Sequence, residues 1–243
     1  MLDDLRKNYW SLTTRLRKER ELFHFRLTHR GWQRRCSPCG WHGSDFMPLE
    51  SEPDVCCPVC DSRPRQRLLR LALEQRDLPL KGARVLHVSP KGEKHQGAWF
   101  RSRSSWYLSI DKGGPWNSIE NGDAMQQMDL TDLQLDDGSV DFVCCSHVLE
   151  CIRDDRQALD EIYRVLAPGG VAALQVQMYD LEHTEEVANP TKQDYWHAWR
   201  PGRDYFERYE QAGFRVELIG KQGFDTSLYG LHYNINVPLC WKP

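Results

Sequence analysis

An open, mostly parallel α/β sheet with a small metal-bound module in front of it is the fold that this sequence predicts. Two stretches carry the prediction. The first runs from Asp129 to Gly170. It contains an acidic loop, an apolar strand from Val140 to Cys145, a polar strand-end turn at Ser146-His147, and a helix whose apolar face is marked by Leu159, Ile162 and Leu166. Pro168-Gly169-Gly170 stops that helix, and a second apolar strand, Val171 to Val176, follows at once. Strand, helix, glycine turn and strand make one βαβ unit, which requires a parallel pairing and a crossover helix on one face of the sheet. The second stretch is a pair of Cys-x-x-Cys knuckles, Cys36-Ser37-Pro38-Cys39 and Cys57-Pro58-Val59-Cys60, with seventeen residues between them.

Bulk properties narrow the class. A chain of 243 residues has room for one α/β domain plus a small appendage. With 32 basic and 35 acidic residues the net charge is −3, which gives no general attraction to nucleic acid or membrane. No apolar run approaches the ~20 residues of a membrane helix, and Met1 opens a charged segment, so the expectation is a cytoplasmic protein without a secretion signal. The cysteine usage agrees, because Cys144, Cys145 and Cys151 fall in or beside a buried strand rather than at disulfide spacings. Charge is uneven at the front, where residues 1–35 hold ten Lys or Arg against four Asp or Glu. Leu5, Tyr9, Leu12 and Leu16 recur there at helical spacing, so residues 1–31 are expected to form a basic amphipathic helix. A polyanion-binding arm is the alternative reading.

Residues 32–63 read as a zinc ribbon. Each knuckle turns two thiolates toward one point, and two knuckles complete a closed tetrahedral site, so Cys36, Cys39, Cys57 and Cys60 are the expected ligands of a structural zinc. Gly40 and Asp61 follow the knuckles where a positive φ is often needed. Cys56 could displace Cys57, and a redox dithiol is a further alternative. A module this small buries too little apolar surface to fold unaided, and the metal would compensate. The next helix begins near Pro64, with Ser62 as the expected N-cap.

The ordered run from Asp129 through Val165-Leu166-Ala167-Pro168-Gly169-Gly170 closely resembles the class I methyltransferases that use S-adenosylmethionine. Preceded by Cys-Pro-Val-Cys-Asp-Ser-Arg-Pro-Arg-Gln-Arg-Leu-Leu and the strand Ala83 to Val88, it resembles the subgroup with a zinc ribbon in front, over roughly residues 32–220. The resemblance implies a Rossmann-like class I methyltransferase sheet with helices on both faces, in a domain spanning 64–243, and a cofactor site along the carboxyl ends of the strands. The usual glycine-rich loop is replaced by Ser89-Pro90-Lys91-Gly92, read as a variant binding loop, with a degenerate domain as the alternative. Asp111 ends the strand Trp106 to Ile110 and would accept hydrogen bonds from the ribose, unless it is a plain turn aspartate. By resemblance Asp129 would meet the adenine amino group and Leu130 would flank the ring. His87, Ser89, Pro90, Ser146 and His147 complete the expected cofactor set.

Residues 178–203 occupy the position of a substrate lid, and Tyr179, Tyr195, Trp199 and Arg200 are the expected substrate contacts. His147 and His197 are the candidates for a general base, imidazole being partly neutral near pH 7. The leading function is methyl transfer, at oxygen, to a small molecule or glycan. An RNA or protein methyltransferase that docks through the ribbon is the alternative, and a non-catalytic binding protein a third. Ser146-His147-Val148-Leu149 stands where amino-methylating enzymes of nucleic acid carry an Asn/Asp-Pro-Pro-Tyr/Phe motif, so nucleic acid is possible but not favoured.

Overall fold

A computed structural model describes residues 16–49, 52–90, 93–113, 125–232 and 235–243. The expected positions Leu5, Tyr9 and Leu12, with Lys91 and Gly92, lie outside the described residues. Helix α1 covers residues 16–28 and leads into two short antiparallel ribbons. Strand β1 (Arg34–Arg35) pairs with β2 (His42–Gly43), and β3 (Met47–Leu49) pairs with β4 (Glu52–Cys56). Helix α2 (Pro64–Gln75) then enters the larger domain.

That domain is one seven-stranded sheet. Its strands are β5 (Arg84–Val88), β6 (Trp106–Asp111), β7 (Gln126–Gln127), β8 (Val140–Ser146), β9 (Leu166–Gln175), β12 (Arg215–Gly220) and β13 (Asn236–Trp241). Their order is β12-β13-β9-β8-β5-β6-β7. Neighbours from β9 to β7 run parallel, while β13 lies antiparallel to both β9 and β12. The reversed β13 therefore begins at the same edge where β5, β6, β8 and β9 end. Helix α3 (Lys94–Arg101) returns from β5 to β6, and α4 (Asp155–Val165) returns from β8 to β9.

Side-chain alternation explains why both faces are covered. On β8, Val143 and Cys145 point into a core with Leu159 and Ile162 of α4. Phe142 and Cys144 point the other way, into a core with Leu68, Leu69 and Ala72 of α2 and Phe100 of α3. The βαβ unit is as the sequence predicts, with one adjustment. Helix α4 ends at Val165, and Leu166, expected on its apolar face, is buried as the first residue of β9. Strand β9 is irregular across residues 167–170, since Leu166 pairs with Val140 but the next partner of β8 is Val171.

The ribbon is fused to the domain by α2. Arg67 is fully buried and stacks on Phe46 of the ribbon, 3.8 Å from the ring centre. Its guanidinium donates to the carbonyls of Val55 (2.9 Å) and Ser62 (2.6 Å) in the ribbon, and of Tyr229 (2.6 Å) and Gly230 (3.0 Å) in the loop before β13. Gly230 has φ 59°, and a Cβ there would meet the Phe46 ring at 2.8 Å, so the close approach needs glycine. Ser62 does not cap α2. It instead hydrogen-bonds the Cys36 Sγ (3.1 Å), and Arg63 occupies the cap position with Gln66 Oε1 accepting its N–H (2.8 Å).

Residues 178–203 carry more structure than their composition predicts. Strand β10 (Glu185–Glu186) pairs with β11 (Trp199–Arg200), and a short 3-10 turn covers Lys192–Asp194. A 3-10 turn, Arg203–Phe206, and α5 (Glu207–Gln211) follow. Among the described residues no helix is long and apolar enough to cross a membrane.

Candidate active site and metal centre

The knuckles place four sulfurs together. Cys36 and Cys60 Sγ are 3.5 Å apart, Cys39 and Cys57 Sγ 3.6 Å, and all four lie within 4.8 Å of one another. Four thiolates at a Zn–S distance of about 2.3 Å would sit about 3.8 Å apart, so the set fits a tetrahedral ion and is far too wide for a disulfide. Each knuckle closes by a backbone bond, Gly40 N–H to Cys36 O (2.7 Å) and Asp61 N–H to Cys57 O (2.9 Å), with φ of 76° and 59° at the two donors. Cys56 is buried but outside the set.

At the carboxyl edge of the sheet, Ser89 and Asp111 meet. Ser89, at φ 46°, donates its hydroxyl to Asp111 Oδ2 (2.7 Å), and the Gly113 N–H donates to Oδ1 (2.9 Å). Asp111 is therefore a tethered carboxylate at the end of β6, beside the loop that begins with Ser89-Pro90. Asp129 follows β7 and forms a tight turn: its Oδ1 accepts from the N–H and hydroxyl of Thr131, and Lys112 Nζ lies 2.7 Å from Oδ2. These partners hold its carboxyl below the usual range against the opposing effect of burial, which is the largest. No helix starts at Thr131 or Asp132, so neither acts as an N-cap. Leu130 is buried in the core beneath this edge.

His87 is a correction. Its ring is fully buried on β5, with Nδ1 2.9 Å from the Tyr107 hydroxyl and Nε2 3.0 Å from Glu93 Oε2. Both nitrogens are engaged inside the fold, which leaves none for a cofactor. Gln66 of α2 donates to the other oxygen of Glu93 (3.3 Å), so the pair ties α2 to the start of α3.

His147 takes φ 58° immediately after β8, a costly conformation that turns its side chain out of the strand direction. Its N–H donates to Gln175 O (2.8 Å), and its Nδ1 lies 3.2 Å from Glu150 Oε1. Glu150 is fully buried; its Oε1 also accepts the Gln177 N–H (2.9 Å), while Oε2 has no hydrogen-bond partner. Burial alone would raise the Glu150 carboxyl, but the hydrogen bond and charge of His147 outweigh it and hold the group ionised. An imidazole fixed at Nδ1 by a buried carboxylate presents Nε2 outward, the arrangement of an oriented general base. Ser146 donates to Gln175 Oε1 (3.2 Å), bracing the same strand ends.

His147 opens onto a cavity of about 290 Å³ between the sheet edge and the ribbon. Gln175, Gln177 and Asn236 line it from the domain, and Val55, Arg63 and Arg65 from the ribbon and the start of α2. A second cavity, about 370 Å³, lies on the far side of Gln177 and is lined by Tyr179, Tyr195 and Arg200. His197 is buried beside it, Nδ1 3.1 Å from the Tyr179 hydroxyl, and burial pushes its pKa below the usual value, with the charge of His147 acting in the same direction. Arg200 pairs with Asp194 (2.9 Å) and Glu185 (3.7 Å). Trp199 has its ring N–H committed to the carbonyls of Ile152 (2.9 Å) and Arg153 (3.2 Å), with Arg208 over its face at 4.1 Å, so it anchors β11 to the segment after β8. Glu150, Arg63 and Arg65 carried no site expectation. The three-residue step from His147 to Glu150 was the available signal for the first.

Residues 111–174, from the end of β6 into β9, match the family model described as a methyltransferase domain. No curated protein matches the chain. Among solved structures it is similar to an S-adenosylmethionine-dependent methyltransferase from Mesorhizobium loti, at 14% identity over 72% of this chain and 98% of that one, with a TM-score of 0.52. It is similar to a methyltransferase of the same dependence from Archaeoglobus fulgidus, at 16% identity over 73% and 94%, TM-score 0.50. It is also similar to the [4+2]-cyclase SpnF, at 15% identity over 73% and 80%, TM-score 0.54. At these identities the likeness establishes the fold, a Rossmann-like methyltransferase sheet. Together with the matched window it supports an S-adenosylmethionine-dependent methyltransferase.

Proposed function

We propose that the chain transfers a methyl group from S-adenosylmethionine to an oxygen of a small molecule or glycan, in the cavity beside His147, and that its ribbon holds a structural zinc. The observation that carries this reading is the convergence at one sheet edge of Ser89, Asp111 and Asp129 on one side and the His147–Glu150 pair on the other. Asp111 would hold the ribose hydroxyls, exchanging its present Ser89 and Gly113 donors for those of the ligand. Asp129 would accept from the adenine amino group with the oxygen now facing Lys112. Bound there, the cofactor supplies an already activated methyl group, so the protein's task is alignment and removal of the acceptor proton. His147 Nε2 would take that proton, and the Glu150 carboxylate would steady the imidazolium that results.

The position of the ribbon also supports a small acceptor. It packs against the domain through Arg67 and forms one wall of the cavity, which favours a wall over a detached docking module for RNA or protein. The similarity to a [4+2]-cyclase makes cofactor binding the first thing to establish. Calorimetry with S-adenosylhomocysteine tests it directly: wild-type protein should bind, and Asp111→Ala should bind at least tenfold more weakly. No binding by wild-type protein would remove the methyltransferase reading.

A further inference from the structure

Two arginines, Arg63 and Arg65, stand at the start of α2. Arg63 and Arg65 both line the cavity that His147 enters, and among the described residues neither guanidinium makes an ion pair or a side-chain hydrogen bond to a carboxylate. The Arg65 Nε is buried and has no hydrogen-bond acceptor at all. Its backbone is pinned close by, with the carbonyl accepting from Gln175 Nε2 (3.4 Å) on the strand end next to His147. Burial is the largest influence on the Arg65 guanidinium and lowers its pKa, while Glu93 and Glu150 act on it through space without a hydrogen bond. A buried, unpaired guanidinium N–H forfeits one of the stronger hydrogen bonds a side chain can make, and such a group is normally satisfied.

We infer that this end of the cavity is an oxyanion subsite, in which Arg63 and Arg65 hold a carboxylate or phosphate carried by the methyl acceptor. The inference deepens the proposed function and rests on it. Three features favour an anion there. Arg65 lines the cavity, and the Nε edge of its guanidinium offers a planar fork suited to two oxygens. Pro64 lines the same wall as the first residue of α2, so the positive end of that twelve-residue helix adds to the field. Glu52, on the exposed rim, is the only acidic side chain among the described lining residues. The backbones of Arg65 and His147 both bond Gln175, which sets the two residues side by side on the cavity wall and calls for an oxyanion near the acceptor hydroxyl in the ligand. A compact hydroxy acid or a phosphate ester meets that requirement; a long neutral glycan does not.

The test uses the full-length, zinc-purified protein and three probes in calorimetry: inorganic phosphate, benzoate and neutral benzamide, each with and without S-adenosylhomocysteine. At least one anion should bind saturably, and benzamide should not. Phosphate without benzoate would identify a phosphorylated acceptor, and benzoate without phosphate a carboxylate. Arg63→Gln and Arg65→Gln should each weaken anion binding at least tenfold, Arg65→Lys less, and Glu52→Gln should strengthen it, with thermal midpoint and S-adenosylhomocysteine affinity unchanged. If Arg65→Gln fails to fold, Arg63→Gln on the half-exposed rim still decides the matter. The inference is overturned if neither anion binds, if benzamide binds as well as benzoate, or if the arginine variants bind like the wild type. Anion binding lost alone, with S-adenosylhomocysteine still bound, removes only the subsite. Failure of S-adenosylhomocysteine binding removes the methyltransferase reading.

Discussion

His147 differs from His197 in what fixes it and in what it faces. His147 has Nδ1 against a buried carboxylate and lines the cavity that the ribbon encloses. His197 has Nδ1 beside the Tyr179 hydroxyl, both within residues 178–203, and does not reach that cavity wall. Once an acceptor is in hand, His147→Ala should lower turnover by about 10²-fold or more, the usual contribution of a general base. His197→Ala should cost less than tenfold; the reverse ranking would move the base to the lid. Glu150→Gln keeps the shape and removes the charge that would steady the imidazolium, so it should lower turnover about tenfold or more while S-adenosylhomocysteine binding is kept. His197 gives an independent check by NMR titration. Its pKa lies below the ordinary 6.5 of histidine, chiefly through burial. As pH falls through 6.5 the unfolded chain takes up the proton first, so the contribution of this residue to stability is lost on acidification.

Among the elements, the ribbon shows how much of the site a sequence can disclose. Its four clustered cysteines were legible because a metal site would demand them at fixed spacing, and the knuckles fold locally. The βαβ unit was legible for a similar reason, since apolar periodicity and a Pro-Gly-Gly stop act within a few residues. The cavity wall was not legible. It depends on where the ribbon docks, and Arg67, whose charge suggests a solvated helix face, is the fully buried residue that sets the docking. His87, within the first strand, read as either a cofactor-loop or a packing residue, and alternation turns it inward toward Glu93 and Tyr107. Two outcomes at this scale follow. Protein purified without added metal should contain about one zinc per chain, and Cys39→Ser should lose it and destabilise the ribbon; full zinc retention in that variant would remove the metal assignment. Asp54 joins the ribbon strands to the loop before β13, accepting from Arg34 (2.8 Å), the Phe46 N–H (2.7 Å) and His232 (3.0 Å). Burial opposes its charge most strongly, but these partners prevail and hold its carboxyl below the usual range. Asp54→Asn should therefore cost about 1–3 kcal/mol near neutral pH. The difference from wild type should shrink as pH falls below about 3.9, where the unfolded chain's carboxyl takes up its proton before the folded one does. A constant difference down to pH 2 would mean that the Asp54 charge is not the cause.

Over the whole molecule, Arg67 is the residue that gathers ribbon and sheet around the cavity beside His147, with Asp54 and its His232 partner as a second tie. Arg67 draws carbonyls from β4, the second knuckle and the Tyr229–Gly230 loop to a single guanidinium, and covers Phe46 as it does so. A charge buried in this way is expensive, and carbonyl acceptors without a counter-ion make the cost tolerable only if all of them remain in place. The arrangement couples two units that would otherwise melt separately. Removing the zinc should loosen the cavity wall and weaken ligand binding at Arg63 and Arg65 while leaving the sheet folded. Arg67→Met preserves much of the stem's packing but strands four carbonyls in the interior, and should cost about 3–5 kcal/mol, the scale observed when one partner of a buried charged set is removed. Scanning calorimetry of wild-type protein should show ribbon and sheet unfolding in one transition. In Arg67→Met that transition should separate into two, the lower one shifted further by a chelator and the upper one insensitive to it. If the variant instead unfolds in a single step with an unchanged midpoint, the contacts of Arg67 are not what joins ribbon to sheet, and the cavity wall must be held by the surrounding apolar packing alone.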